Sequence, residues 1–152
     1  MRKKLWVLVI LVIFLALIPL GIAQAKKPLM AMTEHDFVGS GGIAWQGTIS
    51  GDIEGQITWF APAEMWLTGQ ASHYDESWEI VDAQGNVLMR GTGYGSTTIR
   101  HGKNSIWRTN GIVTEAYGEY ENWAGRNVHE SGSFEWAASG VPSHGISTFQ
   151  VN

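Results

Sequence analysis

Residues 43–60 read IAWQGTISGDIEGQITWF. In the first run Ile43, Trp45 and Ile49 fall on one side, and Gln46, Thr48 and Ser50 on the other. In the second, Ile53, Ile57 and Trp59 oppose Glu54, Gln56 and Thr58. A period of two puts successive side chains on opposite faces of an extended chain, so each run predicts a half-buried strand. Gly51-Asp52 between them has the chemistry of a tight turn, and the whole stretch predicts an antiparallel hairpin. Pro62 ends the second strand, because it has no N–H to give to a ladder.

Toward the C-terminus the same texture continues. Met65 to His73 is a weaker strand candidate, and Trp78 to Asp82 a stronger one. Asp82-Ala-Gln-Gly-Asn86 reads as a turn with glycine where a positive φ is wanted. Val87 to Ile99 is one long strand in which Gly91, Gly93 and Gly95 clear one face. Such a strand is sharply curved, or something approaches it closely. His101 to Asn104 is the next turn, followed by strands at Ser105–Ala116, Asn127–Ala138 and Val141–Val151, with 118–126 bridging the first two. Toward the N-terminus, residues 26–41 (KKPLMAMTEHDFVGSG) show no clear period and read as a lead-in segment. No stretch beyond residue 25 has helical periodicity.

About eight sequential strands joined by short turns suit a sandwich or an up-and-down barrel. Eighteen of the 19 glycines lie in residues 26–152, about twice the usual frequency. Many fall inside strands, where curvature uses them. Polar residues on both faces of several strands also fit a barrel interior better than a hydrocarbon sandwich core. The expected fold is all-β: a single antiparallel barrel of about eight strands over residues 42–152, preceded by an N-terminal apolar segment.

That segment, residues 1–25, has three parts. Arg2, Lys3 and Lys4 form a basic end, Leu5–Ile22 is apolar, and Ala23-Gln24-Ala25 carries small residues at a cleavage site. This is the pattern of a secretory signal peptide, and the run is also long enough for a retained anchor. Either way the remainder is exported and the protein is secreted or extracytoplasmic. A membrane is contacted only through residues 5–22 if they are uncleaved.

Without residues 1–25 the chain has 127 residues and loses three basic residues and no acids, so its formal charge is −7. An acidic domain repels phosphate backbones, which argues against nucleic acid as a partner. The chain has no cysteine, so packing and hydrogen bonding hold it without disulfides. Thiolate catalysis and cysteine zinc sites are excluded too.

The chemistry-bearing residues are sparse. His35, His73, His101, His129 and His144 include no pair at a local metal-ligand spacing. With no Asp-rich calcium loop either, no metal and no cofactor is expected. Hydrolase motifs around serine are absent. His129 stands out by lying in a strand-like run beside Glu130. Glu115, Glu119, Glu121 and Glu130 cluster around one connection, and Asp75, Glu76, Glu79 and Asp82 form a second acidic patch. Most such carboxylates are solvated. Glu115 differs, because strand parity places it on the face of Trp107 and Val113. If that face is inward, it is a buried carboxylate and a candidate catalytic group. Seven of the eight tryptophans lie beyond residue 25. Wide apolar rings plug barrels, and they also line ligand cavities. Trp45, Trp59 and Trp107 are the candidate ligand contacts, with Glu115 and Arg108 to orient a polar end. Residues 107 and 108 face opposite ways on a regular strand.

The second half resembles the allene oxide cyclase and dirigent-like barrels. The likeness rests on Gly91-Thr-Gly-Tyr-Gly95, the strand Ile106–Ala116, Gly118-Glu-Tyr120, Ala124-Gly125 and Gly132. It covers roughly sixty residues. The resemblance implies an eight-stranded antiparallel barrel with a cavity for an apolar small molecule, and homo-oligomers, often trimers. It assigns no catalytic residue at any position here. The strand Asn-Gly-Ile-Val-Thr-Glu-Ala is also similar to that of an uncharacterised group of exported prokaryotic proteins. Three functions follow as expectations. The first is an exported barrel that binds a small, largely apolar or aromatic ligand without transforming it. The second is an isomerase or cyclase using a buried carboxylate, and the third a structural or interaction protein at the cell surface.

Overall fold

A computed structural model describes residues 26–62, 73–98 and 104–152. The strands are β1 Leu29–Ser40, β2 Ile43–Gly51, β3 Gly55–Phe60, β4 His73–Val81, β5 Val87–Thr98, β6 Ser105–Ala116, β7 Asn127–Trp136 and β8 Pro142–Val151. Each pairs antiparallel with its sequence neighbours, and β8 returns to β1, so the sheet closes into a barrel in strict chain order. One short 3-10 helix, Gly118–Trp123, joins β6 to β7. The readings for residues 1–25, for the strand beginning at Met65 and for His101 fall outside the described residues. No helix among the described residues is long and apolar enough to cross a membrane.

One expectation changes. Residues 26–41 are not a lead-in: Leu29–Ser40 is a barrel strand, paired with β2 on one side and β8 on the other. Its inward residues are Leu29, Ala31, Thr33 and His35, while Met30 and Met32 face out. Polar side chains inside and thioethers outside blur the hydropathy alternation that marked the hairpin.

The interior has three levels. At the end where β1 starts and β8 finishes, Ile57, Trp78, Met89, Val113, Phe149 and Val151 form an apolar plug. Trp123 closes that end, with the Lys26 ammonium 3.8 Å above its ring. In the middle lie the buried polar residues Thr33, Glu76, Thr109, Glu130 and Ser147. Toward the opposite end come His35 and the rings of Trp45, Trp107 and Phe134.

The glycine stripe of β5 explains how such large groups fit. Gly91, Gly93 and Gly95 are the cross-strand partners of Trp78, Glu76 and Tyr74. A methyl group at Gly91 would meet the Trp78 indole, and one at Gly95 the Tyr74 ring. The close approach implied by the bare face is therefore made by β4 itself. His35 is placed likewise, between Gly47 on β2 and Gly145 on β8.

Candidate functional site

Period-two alternation carries Trp45 of β2, Trp59 of β3 and Trp107 of β6 to the interior. There the His35 ring centroid lies 5.2, 4.8 and 6.0 Å from theirs, respectively. Trp59 and Trp107 meet edge to face, with centroids 6.3 Å apart. The sequence-predicted indoles thus converge. With Tyr74 and Glu76 they surround a cavity of about 10 Å3, roughly the room one water needs. The barrel is nearly filled by its own rings.

Glu115 does not join them. In the β5–β6 ladder Gly91 pairs with Val113 and Arg90 with Glu115, which leaves Thr114 as an extra residue. This bulge shifts the parity, so Val113 points in while Thr114 and Glu115 point out. Glu115 is 47% exposed, accepts from Tyr117 Oη at 2.6 Å and lies 3.3 Å from Arg90 Nη1. These donors hold its carboxyl below the usual range. It is a surface ion-pair residue, not a buried base. Arg108 is also on the outer face, as its parity requires. His129 is exposed and bonded to Asn110 Oδ1 at 2.8 Å.

The buried carboxyls are Glu130, wholly buried on β7, and Glu76, 8% exposed on β4. Both belong to the acidic patches expected from the sequence to be solvated. Parity held the signal: Glu76 alternates with Tyr74, Trp78 and Ile80, and Glu130 with Val128 and Phe134. The barrel brings the two together within hydrogen-bonding reach. Trp59 Nε1 donates to Glu130 Oε2 at 3.2 Å. The Oε1 atoms of both residues are buried and meet no donor group among the described residues. No protein family profile matches this chain, and neither a curated protein nor a solved structure is significantly similar to it.

Burial controls the protonation of this level. It pushes the Glu76 carboxyl up to about 7, with hydrogen bonds to Thr109 and Glu130 pulling part of the way back. Glu130 is driven well above the carboxylate range by burial and by the neighbouring Glu76. A proton shared between the carboxyls removes the cost of two like charges in low dielectric. His35 goes the other way. Burial lowers it to about 4, so its ring is neutral near pH 7. Its Nδ1 lies 3.1 Å from Thr33 Oγ1, which in turn lies 2.6 Å from Ser147 Oγ. The Tyr74 hydroxyl, 3.2 Å from Thr109 Oγ1, is pushed up by burial and by Glu76. The site therefore combines aromatic walls, a neutral imidazole and a protonated acid pair able to donate or accept a proton.

Proposed function

We propose that this is an exported barrel that binds a small, largely apolar or aromatic molecule at its aromatic end. Residues 1–25 would serve as signal peptide or anchor. One observation carries the reading: three indoles, an imidazole, Tyr74 and the buried carboxyl of Glu76 face a common cavity, with Glu130 buried against Glu76. Buried carboxyls with orphan oxygens are costly. A barrel that needed only a filler would be more stable with apolar residues there. The free space admits a water and nothing larger, so a guest enters by displacing a ring. Trp45 and Trp107, 6% and 7% exposed against 2% for Trp59, are the more exposed of the three indoles.

The test is native mass spectrometry of the full chain purified from its own envelope. A retained small molecule, lost on Trp107→Ala or Trp45→Ala substitution, is expected. An empty barrel that no aromatic probe enters would leave a structural or interaction protein.

A second reading is favoured by the raised Glu76 and Glu130 protonation. In it the barrel is an isomerase or cyclase in which this pair, in place of Glu115, moves a proton on the bound molecule. Chromatography of the retained compound distinguishes the two. Different isomers recovered from wild type and Glu130→Gln support turnover; the same compound from both supports binding alone.

A further inference from the structure

The polar level of the barrel contains acids and no bases. Among the described residues no lysine or arginine is buried, and His35 is the sole buried imidazole. Resting on the ligand-binding reading above, we propose that the guest is a primary amine. Its ammonium head enters the cavity against the Glu76 carboxyl, which Glu130 backs, and its apolar body lies against Trp45, Trp59 and Trp107.

Three observations converge on this chemistry. First, Glu76 Oε1 and Glu130 Oε1 are buried acceptors that no donor group among the described residues satisfies. An ammonium supplies three donors at one point. Second, the walls are ring faces and edges, with Trp59 and Trp107 within 6.3 Å of each other and both beside His35. Indole faces attract cations, most strongly where water is excluded. Third, the free volume of about 10 Å3 matches a water-sized group. An ammonium head fits that space, and only the body requires a rim indole to turn aside. A carboxylate or phosphate guest would face two acids with no buried cation. A neutral alcohol offers one donor to two acceptors and leaves the charge uncompensated.

Proton balance follows. The groups facing the acid pair are the Trp59 indole N–H from β3, the Tyr74 hydroxyl from β4, Thr109 from β6 and the neutral His35 ring from β1. None of these carries a compensating positive charge near pH 7. With Glu76 titrating at about 7, both carboxyls are largely protonated a unit below neutrality. As the cation enters, the Glu76 proton leaves to solvent, and Glu130 keeps its own. Affinity for an amine therefore rises with pH through neutrality, while affinity for a neutral guest does not.

The experiment titrates the full chain with benzylamine, benzyl alcohol and benzoate, near pH 6 and near pH 8, reading tryptophan fluorescence and calorimetric heat. The amine is expected to bind about tenfold tighter at the higher pH, as one ionisation across the pair's range requires. It is also expected to bind at least about tenfold tighter than the alcohol there, one hydrogen-bonded charge being worth that much or more. Glu76→Gln should erase the preference, whereas Glu130→Gln, a neutral group in place of one that stays protonated, should keep it. Trp107→Ala, which removes a wall of the site, should weaken amine binding without changing its pH trend. The wild-type comparison of amine with alcohol stands even if the acid variants fail to fold. Alcohol or benzoate binding as tightly as amine overturns the amine assignment and leaves a ligand site. No binding of any probe to wild type, with an empty barrel in native mass spectra, overturns the ligand-binding reading itself.

Discussion

Replacing Glu76 and Glu130 together by glutamine removes a pH dependence that this pair imposes on stability. The Glu76 carboxyl moves from 4.5 in the unfolded chain to about 7 in the barrel. The folded state therefore holds a proton that the unfolded state has already released. This stabilising contribution is fully present below the unfolded value and is lost as pH rises through the folded one. A shift of that size corresponds to about 3 kcal/mol, at about 1.4 kcal/mol for each pH unit. Glu130, raised further by the same burial, acts in the same direction and extends the loss to higher pH. His35 opposes both. Its folded value is lowered to about 4 from 6.5, so its contribution is present above 6.5 and lost as pH falls toward 4. Over the overlap the slopes partly cancel in wild type. The readout is therefore the difference between wild type and Glu76→Gln/Glu130→Gln at each pH, in which His35 drops out. Guanidinium unfolding followed by tryptophan fluorescence, from about pH 4.5 to about pH 8, supplies both curves. The wild-type advantage should shrink by about 3 kcal/mol or more, on the order of 10 °C in Tm for a domain of this length. A difference that stays level, or grows as pH rises, would refute the buried acid pair.

Four further outcomes follow. His35→Gln should remove the acid limb: the wild-type advantage over it grows by about 3 kcal/mol as pH rises from 4 to 6.5, measured by the same unfolding curves. Gly91→Ala places a methyl against the Trp78 indole and should cost about 1–3 kcal/mol, read from the denaturant midpoint. Deleting Thr114 removes the extra residue of the bulge and keeps Arg90 opposite Glu115, so the unfolding midpoint should hold, whereas deleting Ile112 turns Val113 outward and Thr114 inward and should lower it; denaturant unfolding separates the two. Glu115→Gln changes an exposed carboxylate and should leave the unfolding midpoint and any ligand retention in native mass spectra as in wild type.

Alternation is a property of the local backbone, and it was legible wherever one face is apolar. The hairpin of β2 and β3, the limits of β6 and the shared inward direction of Trp45, Trp59 and Trp107 all follow from counting by twos. So did the bare face of β5, whose glycines imply that something large lies across from them. Alternation did not mark β1, because it carries Thr33 and His35 inside and methionines outside. Parity also pointed to Glu76 and Glu130, yet acidic residues in turn-flanked runs read as solvated.

What the tertiary structure decided is register and closure. A single extra residue at Thr114 turned Glu115 from the interior to the surface, and nothing in the local pattern marks a bulge until its partner strand is known. The pairing of Glu76 with Glu130 joins β4 to β7, strands that do not neighbour each other in the sheet. Their meeting exists only because the sheet curls shut, and the same closure excludes the water that would otherwise keep both carboxyls charged. Alternation says which side chains share a face; only the closed ring says which of them meet, how much water stays between them and therefore what chemistry they can do.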